Sequence, residues 1–208
     1  MVQENRLSLS FYNAFDTLSL AEQLIGCELV HESPEGVTSG IIVETEAYLQ
    51  NDPACHAFNR RTARTEPMYG IAGTSYVYLI YGMYQCFNVV SNREGIGEAV
   101  LIRALEPVRG IELMEMRRQL LPGKSVEKIR SKQLKLNELC KGPGKLVRAM
   151  GIDRAQHNNH LLTEDPLYIN GRTAHVPEIA TSTRIGINVG ADLPYRFYVK
   201  GNSFVSKP

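Results

Sequence analysis

The sequence predicts an α+β fold built around a mostly antiparallel sheet. Three observations carry that prediction. Strand-like segments are many, and helical ones are inserted among them without a regular β-α-β alternation. A hairpin pattern centred on Gly82 occupies SYVYLIYGMYQCFNVV (75–90). The 208 residues, 43% apolar and 22% charged, suffice for one sizeable core and are few for two. Residues 1–208 are therefore expected to form one domain. The same balance excludes disorder, collagen and coiled coil.

The elements follow in chain order. Residues 8–26 read as a turn and a helix, with Asp16 as its cap and Leu18, Leu20, Leu24 and Ile25 on its apolar positions. Residues 27–31 and 37–49 read as strands joined by a turn at Pro34 to Gly36. Residues 50–74 are polar and punctuated by Pro53, Pro67, Gly70 and Gly73, a long loop of the kind that is functional or disordered. Residues 75–91 form the hairpin. Residues 98–106 make another apolar strand, ending before Pro107. Residues 108–120 and 125–140 read as helices, and 145–150 as a short one after the Lys141-Gly142-Pro143-Gly144 break. Short strands are expected near 166–170, 182–189 and 195–200.

Four features bear on where the chain works. No run approaches the ~20 apolar residues that span a bilayer, so no membrane association is expected. The start, MVQENRLSLSFYNAF, lacks the basic-then-apolar order of a secretory signal. Cysteines 27, 55, 86 and 140 have no zinc or redox spacing, which fits reduced thiols in a cytoplasmic protein. Charge is uneven: residues 103–154 hold 13 of the 23 Lys and Arg but only 6 of the 22 acids. That segment is basic enough to meet a polyanion, or it is simply a solvated helical face.

Several residues invite chemistry. Glu44, Glu46 and Tyr48 alternate along the apolar strand and share a face. A desolvated carboxylate there acquires a raised pKa, which suits a general base. The alternatives are a wet face with surface ion pairs, or a weak metal set of Glu44, Glu46 and His56. Tyr81 beside Gly82 stands at the hairpin tip, where its own strand cannot bury it. Such a side chain can wedge into a base step, although tyrosines of a hairpin also serve as ordinary sheet residues. Arg103 lies on an apolar strand and needs a carboxylate, a phosphate or a polar ligand, with Glu44 or Glu106 as structural partners. Gly142 and Gly144 before a helix, with Lys141, Lys145 and Arg148 nearby, make either a phosphate site or a plain cap. His157 and His160 read as exposed loop residues.

Five motifs then occur in one order: VETEAYL (43–49), SYVYLIYGMYQCFNVV (75–90), VLIRALEP (100–107), LCKGPGKLVRAMGI (139–152) and RFYVKGN (196–202). Together they resemble the alkyladenine (3-methyladenine) DNA glycosylase family, over nearly the whole chain. The resemblance implies a compact mixed domain around a curved antiparallel sheet, with a hairpin entering the DNA minor groove. It implies hydrolysis of the N-glycosidic bond of a damaged purine flipped out of duplex DNA. Glu46 matches the family's general base. Arg103 and the backbone carbonyl of Ile187 match the groups that hold the attacking water. Tyr48, His56 and Tyr78 match the walls around the flipped base, Asn88 the floor that discriminates against guanine, and Tyr81 the residue that fills the vacated stack. Lys141, Gly142, Gly144, Lys145 and Arg184 are expected to contact DNA phosphates.

No lysine occupies a nucleophile position in these motifs, so a monofunctional enzyme leaving an intact abasic site is expected, with no cofactor. A monomer in the cytoplasm, associated with the nucleoid, is the corresponding cellular expectation. Cys55, Ala63, Gln85 and Phe87 depart from the family's usual residues and bear on pocket shape and lesion range. Two rival readings remain. A non-catalytic damaged-DNA-binding module would keep the hairpin and basic segment but leaves Glu46 and Arg103 on apolar strands unexplained. A small-molecule formyl- or acyl-transfer enzyme would use Glu46 and His56 but leaves Tyr81 unexplained.

Overall fold

The computed structural model of the chain describes residues 5–80, 82–120, 134–173 and 178–207. Two short helices open it, α1 (Leu9–Asn13) and α2 (Thr17–Gln23). Asp16 caps α2 as expected, its carboxylate accepting from the Ser19 N–H at 2.7 Å. Leu20, Leu24 and Ile25 are fully buried. The strands β1 (Glu28–Ser33) and β2 (Gly36–Tyr48) follow as an antiparallel pair.

The remaining strands are β3 (Ser75–Ile80), β4 (Tyr84–Val90), β5 (Ala99–Arg109), β6 (Leu167–Asn170), β7 (Ile179–Ser182) and β8 (Arg196–Val199). They join in the order β3-β4-β5-β2-β1-β6, with β8 also pairing with β2 and β7 with β8. Every pairing is antiparallel, so the α+β expectation holds. The sheet forks at β2. Its first half pairs with β1 up to Ile41, and its second half takes β8 as partner from Glu44 to Glu46. Register shifts at Ser39/Gly40, Ile42/Glu44 and Glu44/Thr45 bend this strand. The sheet curls accordingly into a half-barrel.

Three further helices complete the described residues: α3 (Ile111–Gln119), α4 (Pro143–Met150) and α5 (Arg154–His157). Leu146, Val147, Ala149 and Met150 of α4 share one core with α2 and with Ile42, Phe87 and Val89 of the sheet. A smaller cluster joins Cys55, Met68 and Tyr69 to Tyr76 and Val90. The loop at 50–74 is thus packed onto the sheet, and it contains a 3₁₀ turn at Glu66–Tyr69.

Several boundaries differ from expectation. Strand β5 runs through Pro107 to Arg109, because the register shift at Ser39/Gly40 accommodates a residue without an N–H. Helix α3 consequently begins after Gly110. Helix α4 begins at Pro143, whose fixed φ suits a first helical position. The helix expected at 125–140 falls largely outside the described residues, and its end is a 3₁₀ turn at Leu136–Glu138. The strand expected at 182–189 is displaced: β7 ends at Ser182, and 183–190 is irregular backbone. His157 is not a surface residue. It is 2% exposed and its Nε2 lies 3.1 Å from Nε2 of His31. Among the described residues no helix is long and apolar enough to cross a membrane.

Candidate active site

The hairpin supplies one wall of the site because its register sorts its faces. Tyr76 opposes Asn88 and Tyr78 opposes Cys86 across β3 and β4. Those four side chains line a cavity of about 360 Å³, while Val77, Phe87 and Val89 on the other face enter the core. A cavity of this size lies within the range of small-molecule sites. Tyr48, His56, Arg103, Ile185 and Ile187 complete it from β2, the 50–74 loop, β5 and the 183–190 segment.

Glu46 is fully buried. The Tyr48 hydroxyl donates to its Oε2 at 2.8 Å, and Arg103 Nη1 donates to the same oxygen at 3.1 Å. The backbone N–H of Ile185 donates to Oε1 at 2.7 Å. Burial raises the pKa of this carboxyl above the ordinary value, while Arg103, the Ile185 N–H and the Tyr48 hydroxyl oppose that rise. Arg103 is held from its other side, with Nε 3.3 Å from Glu44 Oε1. Glu44 itself accepts from Arg196 Nε at 2.7 Å and from the Ser206 N–H at 2.7 Å. Both carboxylates of the β2 motif are therefore buried and paired, and the reading as a wet face is excluded.

The aromatic groups meet edge to face. The rings of His56 and Tyr78 have centroids 4.5 Å apart at 75°, so these two form one continuous wall. His56 Nδ1 lies 3.0 Å from the Tyr76 hydroxyl. Burial, helped by the Arg64 charge, lowers the His56 pKa to about 4, so its imidazole is neutral near pH 7. Asn88 spends one amide N–H on the Tyr76 carbonyl at 2.9 Å, which fixes the side chain in the cavity.

The phosphate set divides. Lys141, Gly142, Gly144 and Lys145 gather at the start of α4, beside Pro143 on the cavity and Tyr84 on the hairpin. Lys145 is paired with Glu138 at 2.6 Å and Lys141 reaches the Ser203 carbonyl at 3.2 Å. Arg184 departs from expectation. Its side chain is wholly buried and ion-paired to Asp52, so it is not poised on the surface for a phosphate. Tyr81, expected at the hairpin tip, lies outside the described residues. Its neighbour Gly82 has φ +70°, the left-handed conformation of a tight turn. None of Cys55, Ala63, Gln85 and Phe87 lines the cavity. Gln85 instead braces the hairpin against Asp153 at 3.2 Å and the Arg154 N–H at 2.6 Å.

Sequence reasoning missed Asp52, the Ile185 N–H and the contact of Tyr48 with Glu46. The last had a signal: residues two apart on a strand share a face. The first two had none, because their partners lie far away in sequence.

A curled antiparallel sheet carrying an aromatic-walled cavity, with a buried Glu46–Arg103 pair beside it, is the arrangement of an enzyme active site. The family comparison is more specific. The family model for methylpurine-DNA glycosylase (MPG) matches residues 10–203. A protein of Carboxydothermus hydrogenoformans, named "Putative 3-methyladenine DNA glycosylase", is 48% identical over 202 residues, 97% of this chain and 98% of its own length. Proteins given the same name in Francisella tularensis (strain FSC 198) and Methanoculleus marisnigri are 46% identical over 194 residues and 45% identical over 206. They cover 92% and 97% of this chain, and 94% and 98% of their own lengths. The chain belongs to the methylpurine-DNA glycosylase family.

Proposed function

We propose that this protein is a monofunctional DNA glycosylase that flips alkylated purines out of duplex DNA and hydrolyses their N-glycosidic bond. The carrying observation is Glu46: a fully buried carboxyl whose three hydrogen-bond donors, Tyr48, Arg103 and Ile185, all line an aromatic cavity, in a chain of this family. In this reading Glu46 removes a proton from a water held with Arg103 and the Ile187 carbonyl. The resulting hydroxide character attacks C1′. The C1′–N bond breaks, and its electron pair leaves with the base. A purine alkylated at N3 or N7 is already cationic, so it departs neutral and needs no separate proton.

The cavity also suits a cationic ring. The Tyr48, Tyr76 and Tyr78 rings attract it by about 0.5–2 kcal/mol, and His56 is neutral rather than repelling. Flipping costs a few kcal/mol of unstacking, which Tyr81 and the aromatic cavity offset. Discrimination then rests chiefly on the lability of the alkylated bond, so normal purines leave far more slowly. Equal release of neutral hypoxanthine and 3-methyladenine would count against lability as the filter. Damaged purines in double-stranded DNA are the substrate, and one monomer carries the whole site.

The test is free-base release from methylated duplex DNA, with 3-methyladenine and 7-methylguanine resolved by chromatography. The parent is expected to release both, and Glu46→Gln neither. Release unaffected by Glu46→Gln would retain the activity and reject Glu46 as base. Binding of lesion DNA without release would favour a damage-binding module.

A further inference from the structure

The proposed reaction uses Glu46, Arg103 and Ile187 and gives no task to the buried Asp52–Arg184 ion pair. Asp52, in the loop after β2, and Arg184, just before the cavity-lining segment, have side chains 1% and 0% exposed. Removing two charges from water is costly.

We propose that Asp52 and Arg184 are a positioning pair that seats the 183–190 segment on Glu46 and so sets the rate of the chemical step rather than the affinity for lesion DNA. The proposal rests on the glycosylase reading above. Neither residue touches the substrate. Arg184 is the chain neighbour of Ile185, whose N–H donates to Glu46 Oε1 at 2.7 Å. Its own Nη1 donates to the Ala47 carbonyl at 3.0 Å, between Glu46 and Tyr48, and pairs with Asp52 Oδ2. Its Nη2 donates to the Gly190 carbonyl at 3.1 Å, at the other end of the segment. One guanidinium thereby ties both ends of an irregular stretch to the backbone that carries Glu46.

Two contacts extend the clamp. The guanidinium carbon sits 4.7 Å from the centroid of the Tyr48 ring, behind the residue whose hydroxyl donates to Glu46. Gly190 has φ +55°, and a Cβ there would lie 2.9 Å from Asp52 Oδ1. The segment is therefore pressed against Asp52 with no room for a larger residue. Ile187, whose carbonyl is assigned to the water, lies within this clamped stretch.

Loosening the clamp has a signature beyond lost stability. The Ile185 N–H and the charges of Arg103 and Arg184 favour the ionised form of Glu46, against burial. Tyr48, Cys86 and Glu44 are the other titratable groups around Arg103 and Glu46. A displaced Ile185 N–H leaves the carboxyl still harder to ionise. The acid limb of the single-turnover rate then moves to higher pH.

The experiment compares parent, Arg184→Lys, the doubly neutral Asp52→Asn/Arg184→Gln, and Glu46→Gln on methylated duplex DNA. Affinity is read on a duplex carrying a tetrahydrofuran abasic analogue. The double variant avoids stranding a lone buried carboxylate; if it does not fold at the assay temperature, the Arg184→Lys profile decides. Single-turnover release is expected to fall about 10- to 100-fold with affinity within about 3-fold, as for a misplacement near the reacting atoms. The acid limb should shift upward. Parental rates, or a loss of rate matched by loss of affinity with an unmoved acid limb, would overturn the positioning role. Full activity in Glu46→Gln would instead reject the reading on which it rests.

Discussion

Glu44 and Glu46 stand two residues apart on β2, both fully buried and both within reach of Arg103. What covers them differs. Glu44 is walled in by Arg196 and the C-terminal segment, with Ser206 supplying both its N–H and its hydroxyl. Glu46 is covered by groups that line the cavity: its donors are Tyr48, Arg103 and the irregular segment at Ile185. The Glu44 side is closed on itself, as a structural cluster should be. The groups that hold Glu46 border open volume. The same residue type on the same strand thus serves stability at one position and, in the proposed reaction, chemistry at the other, and the covering segment decides which.

Glutamine at each position separates the two roles. Glu46→Gln is expected to lower single-turnover base release by about 10²- to 10⁴-fold, the span attributed to a general base. Its stability should hold or rise, since burial already disfavours the charged carboxyl. Urea unfolding beside the release assay checks both. In the parent, activity should fall with acidity above the ordinary carboxylate range, because the raised pKa of Glu46 means that it protonates sooner. Glu44→Gln should do the reverse. It leaves Arg196, 4% exposed, without its carboxylate, which costs about 3–5 kcal/mol of unfolding free energy. An active, unstable Glu44→Gln beside an inactive, stable Glu46→Gln is the outcome that upholds the contrast.

The contrast also explains what the sequence made legible. Hairpin faces followed from period-two alternation, and Tyr76, Tyr78 and Asn88 fell on the cavity side as the alternation required. Glu46 and Arg103 were visible because charge on an apolar strand needs a reason. Arg184 was misread as a phosphate ligand because its partner Asp52 lies 132 residues away, in a stretch that looks like polar loop. His157 was misread as surface for the same reason, its partner His31 being 126 residues distant. Local pattern reports which face a residue occupies. It does not report which distant loop closes over that face.

A third polar cluster sharpens the comparison, because its arginine is buried away from the aromatic cavity. Arg117 of α3 donates to the Met150 carbonyl at 2.8 Å, to Ser33 Oγ at 2.8 Å and to Glu35 at 2.7 Å. Replacing Arg117 by Met removes these donors and leaves the Met150 carbonyl to His31 and Thr38. A loss of about 1–3 kcal/mol is expected, with base release per folded molecule unchanged. A rate loss in that variant would mean that the two ends of the sheet are coupled.

The smallest expected effect concerns His31 and His157. His31 Nδ1 lies 2.7 Å from the Met150 carbonyl, so it carries a proton, and in the neutral ring its Nε2 is an acceptor. His157 Nε2 lies 3.1 Å from it, and His157 Nδ1 lies 3.0 Å from both the N–H and the carbonyl of Asp153. Burial is the main cause that lowers both pKa values, with like charges adding for His31 from His157, Arg117 and His160, and for His157 from His160. For a histidine whose folded pKa lies below its unfolded one, the unfolded chain takes up protons first as pH falls. Stability is therefore fully present above the ordinary imidazole value of 6.5 and declines as pH drops below it. His56, also depressed, contributes in the same direction. The urea midpoint should thus fall between pH 7.5 and pH 5.5, and His157→Gln should flatten that slope while lowering the midpoint at pH 7.5. Because Asp153 caps α5 and is gripped by Gln85 of the hairpin, acid loosening of this pair should reach the hairpin before the Glu46 side. Hydrogen exchange at β4 rising ahead of that at β2 would show it, and simultaneous loss at both strands would make the fold one cooperative unit.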